Sequence, residues 1–137
     1  NFVKTMLNLG QEREELKVVN DQRGGPTSAA SIADALFTIA TKIQSNPDTI
    51  EWGTFHYGGQ PFVTWFEFAS YIFMNAKKQG VLARLPIVEA VESSQFLTAA
   101  RRPLNSCLDS SFIFDQFGVK ADWMKDITDV IFEELSS

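Results

Sequence analysis

The chain has 137 residues, 45% of them hydrophobic, which suits one globular domain with a buried core. A net charge of −5 argues against general nucleic-acid binding, which needs an electropositive face. A single cysteine and a single histidine exclude an internal disulfide and a His/Cys zinc site, and no apolar run reaches the ~20 residues of a membrane-spanning helix. We therefore expect a cytoplasmic protein that binds neither nucleic acid nor membrane.

The first segment reads as a helix, a strand and a turn-rich loop. Residues 2–13 place apolar side chains on one face, with Asn1 as a candidate N-cap. Residues 16–20 alternate as a strand does, and residues 21–27 form the loop. Because the chain opens on a helix start without Met, we expect a fragment of a longer protein.

A second helix follows the loop and runs to about Gln44, with Thr27 or Ser28 as its N-cap. We predict that five of its apolar side chains face inward: Ile32, Ala35, Leu36, Ile39 and Ile43.

The middle of the chain carries a strong local helix signal. Residues 54–57 are predicted to be a short strand closed by the turn residues 58–61. Thr64 and Glu67 have the spacing of a capping box, which predicts a helix that stops at Gly80. The predicted inward side chains of this helix are Phe66, Phe68, Ala69, Ile72, Phe73 and Ala76.

The last third is predicted to add strands at 86–91 and 105–108 and two helices, one from Ser110 to Gly118 and one capped by Asp122. The chain is thus α/β, with few short strands and about five helices. Three or four strands are few for a complete doubly wound sheet, so we expect the trailing half of a larger fold.

An arginine pair is the clearest candidate for binding. Arg101 and Arg102 are the only basic residues between Arg84 and Lys120, and Pro103 restricts their backbone. Arginine presents its donors in a fork that matches phosphate oxygens two at a time, which indicates an anion clamp. The alternative is a solvated pair, or a partner for nearby acidic residues such as Glu92 or Asp109.

No complete catalytic set is present in the sequence. Gly24-Gly25-Pro26-Thr27 lacks the G-x-G-x-x-G pattern and is typical of a turn with a helix cap, or of a weak anion site. Neither Tyr57 nor Tyr71 has a lysine placed to make it a proton donor. We expect His56 to pack within its strand and Cys107 to be a small buried side chain.

Three segments resemble one family: Asp21-Gln22-Arg23-Gly24-Gly25-Pro26-Thr27, residues 57–69, and Ala100-Arg101-Arg102-Pro103-Leu104-Asn105-Ser106-Cys107-Leu108-Asp109. They match its D-Q-x-G-x-P-T loop, its strand–loop–helix and its A-R-R-P-x-N-S-x-L-D motif. The family is dTDP-4-dehydrorhamnose reductase, of the extended short-chain dehydrogenase/reductase superfamily. The resemblance spans essentially the whole chain.

The resemblance implies a parent about twice as long. Its missing N-terminal Rossmann half would hold the Gly-rich loop for NADPH or NADH and the catalytic Tyr-x-x-x-Lys. Residues 1–137 would be the C-terminal substrate-binding domain, with the strand near 54–57 joining the Rossmann sheet. We expect this part alone to bind no cofactor and to be inactive. The parent would reduce the 4-keto group of dTDP-4-dehydro-L-rhamnose to give dTDP-L-rhamnose, for cell-surface polysaccharide.

By the same resemblance, the dTDP-sugar nucleotide would contact residues of three segments. Arg102 is the first choice for the diphosphate, and the others are Arg101, Asn105, Asn1, Phe2, Gln22 and Thr27. Pro26-Thr27 replaces an Arg-Asp pair of related epimerases, so that phosphate contact is not transferred. Glu133 matches one carboxylate of a Mg²⁺ site found in some members, but Ala30 stands where another is expected, so we predict no metal.

Two alternatives stay open: a non-catalytic relative that regulates a partner protein, and a reductase or epimerase of another sugar nucleotide. The predicted edge strand at 54–57 also favours pairing with another chain, and so a homo-oligomer.

Overall fold

The computed structural model describes residues 1–95, 100 and 102–136, with side chains as far as Ile131. Its helices are α1 Phe2–Glu12, α2 Ala29–Ser45, α3 Trp65–Lys78, α4 Ser111–Phe117 and α5 Trp123–Ser136. Its strands are β1 Glu15–Val19, β2 Arg23–Gly24, β3 Gly59–Gln60, β4 Val63–Thr64, β5 Ile87–Val91 and β6 Ala121–Asp122. Single 3₁₀ turns occur at Pro47–Thr49 and Ser93–Gln95. The predicted mixed α/β class, with five helices and few short strands, is confirmed.

The main core lies between three helices and one strand. α3 is central, because it packs against α1, α5 and β1. Apolar residues at helical spacing on α3 are fully or almost fully buried, with Ile72 and Phe73 among the largest. Gly10 of α1 lies against Phe73, and a Cβ there would stand 2.8 Å from the ring. Helix spacing in the sequence therefore determines most of this core.

Local signals fix the ends of α3 as predicted. The Thr64 hydroxyl accepts from the Glu67 N–H at 3.1 Å, and the Glu67 carboxylate accepts from the Thr64 N–H at 2.7 Å. Gly80 has a φ of +78°, the left-handed conformation that favours glycine after a helix. Asn1 and Ser28 cap α1 and α2 in the same way as Thr64 caps α3.

The longest strands, β1 and β5, form a parallel pair in which Val19 lies opposite Val91. The remaining strands have two residues each. β2 is antiparallel to β4, and β3 is parallel to β6. These short pairs connect loops, and they gather at one end of the domain.

The predicted strand at 54–57 is wrong: the structure has irregular chain there. The side chains of this segment hold it in place, since the Phe55 ring stacks on Phe112 at 4.7 Å and the Tyr57 hydroxyl lies 2.7 Å from the Ser31 hydroxyl. His56 is exposed and so does not pack within a strand. Pairing of this segment with a Rossmann sheet stays a prediction.

The predicted inward face of α2 is partly wrong. Ala35 is buried, and Ile39 and Ile43 pack on the second cluster around Ile113 and Phe117. Ile32 and Leu36 are instead 43% and 60% exposed, because α2 contacts the domain along only one narrow side. Among the described residues, no helix is long and apolar enough to cross a membrane.

Candidate functional site

Three loops meet at one end of the domain, and β2 lies at their centre. The Arg23 N–H donates to the Leu104 carbonyl at 2.8 Å, and the Arg23 carbonyl accepts from the Ser106 N–H at 2.8 Å. On its other side, Arg23 pairs with Thr64 of β4. The Asn105 segment is therefore the third strand of a small ribbon. The predicted strand at 105–108 is reduced to this single bridge at Asn105.

Two glycines, Gly25 just after β2 and Gly59 in β3, allow two stretches of backbone to come into direct contact. A Cβ on Gly59 would stand 1.7 Å from the Pro26 carbonyl oxygen, and a Cβ on Gly25 would stand 2.2 Å from the Gly59 oxygen. Here the backbones are in direct contact, so any side chain would separate them. The Thr27 hydroxyl fastens the contact by donating to the Gly25 carbonyl and accepting from the Gly59 N–H, both at 3.0 Å. We call residues 23–27, 58–64 and 104–106 the loop junction.

Arg102, the first choice of the predicted anion clamp, lies next to this junction. Arg102 is exposed and precedes the docked residues Leu104 and Ser106 by only a few positions. The Asn105 side chain is turned to its own backbone, because its Oδ1 accepts from the Cys107 N–H at 3.0 Å. Arg101 lies outside the described residues. Arg102 is therefore exposed two residues before the first position that is hydrogen-bonded to Arg23.

The Gln22 side chain binds Ser93, which lies just after the carboxyl end of β5. Its Nε2 donates to the Ser93 hydroxyl at 2.8 Å. The Asp21 carboxylate accepts from the Ser93 hydroxyl at 2.6 Å and from the Ser93 N–H at 3.0 Å. These hydrogen bonds from Ser93 lower the pKa of Asp21, because they stabilise its ionised form.

Asn1 and Phe2 meet Thr27 of the loop junction at the lining of a cavity of about 460 Å³ between α1, α5 and the start of α2. Each also has a structural contact: Asn1 Oδ1 accepts from the Lys4 N–H at 2.8 Å, and the Phe2 ring lies 4.9 Å from Trp65. The lining of this cavity includes neither Arg102 nor Asn105. The predicted site residues are therefore not all brought together: Gln22 binds Ser93, Asn105 pairs with Arg23, and Asn1, Phe2 and Thr27 line the cavity.

A second cavity, of about 550 Å³, follows the arginine motif. It is lined mainly by apolar side chains, with Lys120 and Asp109 among the charged ones. Hydrogen bonds from Ser111 at the start of α4 lower the pKa of Asp109. Cys107 lines this cavity and is half-buried, so the expectation of a buried cysteine is wrong.

The tyrosines occupy structural positions. Tyr71 packs edge-on against Trp123 with ring centroids 5.0 Å apart, and the Tyr57 hydroxyl is held by Ser31. In the described part of the chain, no cluster of three His, Cys, Asp or Glu side chains could hold a metal ion. Two arginines of this region, Arg23 and Arg102, are exposed, and the Arg23 guanidinium donates to the Phe62 carbonyl at 3.3 Å.

Sequence reasoning missed two residues of this region. Arg23 lies in the D-Q-x-G-x-P-T loop, but only the structure shows that its main chain is hydrogen-bonded to Leu104 and Ser106. Ser93 carried no signal at all, because its contact with Asp21 and Gln22 arises from the β1–β5 pairing.

The family model described as "RmlD substrate binding domain" matches residues 1–136. The chain belongs to this family. It is 44% identical over 131 residues to the dTDP-4-dehydrorhamnose reductase of Aggregatibacter actinomycetemcomitans, covering 95% of this chain and 44% of that protein. It is 39% identical to the enzyme of the same name from Escherichia coli K12, covering 90% of this chain and 41% of that protein.

Solved structures agree with this membership in the RmlD substrate binding domain family. The crystal structure of dTDP-4-dehydrorhamnose reductase from Bacillus anthracis, a complex with NADP, superposes with a TM-score of 0.75 at 32% identity, covering 97% of this chain and 43% of that one. The corresponding protein of Clostridium acetobutylicum gives a TM-score of 0.75 at 29% identity, covering 100% and 44%. The chain thus spans less than half the length of these relatives, and its fold is that of their substrate-binding region.

Proposed function

We propose that this chain is the substrate-binding part of a dTDP-4-dehydrorhamnose reductase, and that it binds the diphosphate of a dTDP-linked 4-keto sugar. The observation that carries the proposal is the family match across residues 1–136, supported by relatives of that name at 44% and 39% identity. The arrangement of the loop junction supports it further, since Arg102 stands exposed beside a rigid ribbon. A guanidinium placed in this way suits two phosphate oxygens.

The reduction itself belongs, in this proposal, to the remainder of a longer protein. NAD(P)H bound there would supply the hydride to the substrate's 4-keto carbon. In this proposal the glycine pairs of this chain do not form the dinucleotide loop, because they lack the G-x-G-x-x-G pattern and because Gly25 and Gly59 lie against neighbouring backbone. Its role is to hold and orient the sugar nucleotide.

The proposal is tested by titrating dTDP into the longer protein that contains this chain, using calorimetry. Arg102→Ala should weaken binding by about 1.5–3 kcal/mol, the usual value of a hydrogen bond to a charged group. Arg84→Ala is the matched control, since it removes the same charge from a surface ion pair with Glu14. An unchanged dissociation constant in Arg102→Ala, or an equal loss in Arg84→Ala, would contradict the clamp.

A second experiment separates binding from chemistry. The chain alone, incubated with NADPH and the dTDP-linked 4-keto sugar, should show no oxidation of NADPH at 340 nm. Appreciable turnover would mean that the chemistry lies within these residues.

A further inference from the structure

The segment that carries Arg102 is attached to the same short stretch of chain on both sides. Before Arg102, Ser93 is bound by Asp21 and Gln22. After Arg102, Leu104 and Ser106 are bound by the main chain of Arg23. Asp21 and Gln22 are thus fixed to the end of β5, and the next residue, Arg23, holds the stretch that begins two positions after Arg102.

The parallel pairing of β1 and β5 accounts for the first attachment. Val19 lies opposite Val91, and the Asn20 N–H donates to the Val91 carbonyl at 2.9 Å. Both strands end there, so Asp21 and Ser93 leave the sheet side by side. Parallel strands bring their carboxyl ends to one edge, which is where ligands bind in open α/β sheets.

The contacts at Ser93 form a small closed network. Its hydroxyl donates to Asp21 and accepts from Gln22, and its N–H donates to the second carboxylate oxygen of Asp21. Ser93 is half-buried, and all of these bonds span about seventy residues of sequence. A hydroxyl with both a donor and an acceptor partner has little freedom to rotate, and a charged acceptor makes the strongest of the bonds.

We propose that Asp21, Gln22 and Ser93 act as positioning residues for Arg102 in nucleotide-diphosphate binding. The inference rests on the proposed function and assigns Gln22 a role different from direct contact with substrate. A phosphate clamp depends on guanidinium placement to a fraction of an ångström, so residues that fix its supporting segment contribute to affinity without touching the ligand.

The test uses dTDP titrations of the longer protein that contains this chain. Ser93→Ala removes the hydroxyl and should weaken dTDP binding on the order of tenfold, as expected for coupled contacts. Ser93→Thr keeps the hydroxyl and should restore most of the affinity. Asp122→Ala is the matched control, because it removes a comparable carboxylate contact, to the Met124 N–H, at the start of α5.

A double-mutant cycle identifies the route of the effect. If these residues act through Arg102, then Ser93→Ala and Gln22→Ala should cause no further loss of dTDP affinity in an Arg102→Ala background. A full additional loss for Gln22→Ala there would mean direct contact with the ligand and would overturn the assignment. Equal losses of dTDP affinity in Ser93→Ala and Asp122→Ala would also overturn the assignment, because they would indicate a general loss of stability.

The proposed function and the positioning role would be contradicted by different results. If the unmodified protein does not bind dTDP, the proposed function is wrong. If it binds dTDP and loses affinity in Arg102→Ala but not in Ser93→Ala, the clamp stands and the positioning role is overturned.

Discussion

The helical core and the loop junction are held together by different kinds of contact. In the core, α3 buries Ile72 and Phe73 among apolar neighbours on α1, α5 and β1. In the junction, strands of two residues are joined by short backbone pairings and by a glycine-to-backbone contact at Gly59. Apolar packing is close but not directional, whereas hydrogen bonds depend on angle. This difference suits a domain whose helices provide stability and whose loops hold the arginine that we propose binds a ligand.

The largest effect is expected in the core. Phe73→Ala should lower the free energy of unfolding by about 3–5 kcal/mol, because it leaves a cavity against Gly10 and Leu82. Urea denaturation followed by circular dichroism measures it. The neighbouring Met74 is 56% exposed where Phe73 is 2% exposed, so Met74→Ala should change stability by less than about 0.5 kcal/mol. A similar loss of stability in Phe73→Ala and Met74→Ala would mean that the core is not packed around α3.

The loop junction can be broken at a glycine. Gly59→Ala should cost about 3 kcal/mol of stability, since the new Cβ would stand 1.7 Å from the Pro26 oxygen and the loops must separate. Gly58→Ala is the control from the same turn, because its Cβ would meet Leu108 at an ordinary 3.6 Å. The same denaturation experiment compares them. If the two variants are equally stable, the backbone contact is not a feature of the folded protein.

The sequence predicts the core region better than the junction, for a physical reason. α3 is specified locally, because the capping box, the apolar spacing and Gly80 all lie within one helix and its ends. The segment 54–57 has strand-like composition, but a strand also needs a partner, and here Phe55 and Tyr57 find side-chain partners on α4 and α2 instead. Contacts distant in sequence thus override local preference.

The same limit applies to the candidate site. Arg102 and Asn105 were found from a motif, and the structure pairs Asn105 with Arg23 and leaves Arg102 exposed three residues earlier. The network at Ser93 could not be predicted, because it depends on the register that aligns Val19 with Val91. A pattern in the sequence marks side chains suited to an anion but gives no information about which distant residues hold them.

A smaller effect is expected at the boundary between the two regions. Thr64 caps α3 of the core and also belongs to the ribbon through β4. Thr64→Ala should lower the free energy of unfolding by about 1 kcal/mol, and Thr64→Ser should restore it by keeping the hydroxyl. Urea denaturation of both variants measures the difference. If Thr64→Ser were as unstable as Thr64→Ala, the loss would come from the methyl group and not from the cap.

The smallest effect concerns stability in acid, and it distinguishes the loops that flank the junction from the core. Hydrogen bonds lower the pKa of Asp21 and Asp109 in the folded protein, so the folded state favours their ionised forms. Their contribution to stability is present above the ordinary carboxyl pKa, about 3.9 for Asp, and is lost as the pH falls through the lowered folded value.

Denaturation midpoints measured from pH 7 to pH 3 should therefore fall toward acid, and fall less steeply in Asp21→Asn and Asp109→Asn. Asp48→Asn, on the 3₁₀ turn after α2, controls for the loss of one negative charge. If the Asp21→Asn profile runs parallel to that of the unmodified protein, the Ser93 bonds do not favour the charged carboxylate. Phe73 lies in an apolar cluster, so Phe73→Ala should lower the whole profile without changing its slope. The difference in slope between Asp21→Asn and Asp48→Asn would then report on the contacts of Asp21 with Ser93.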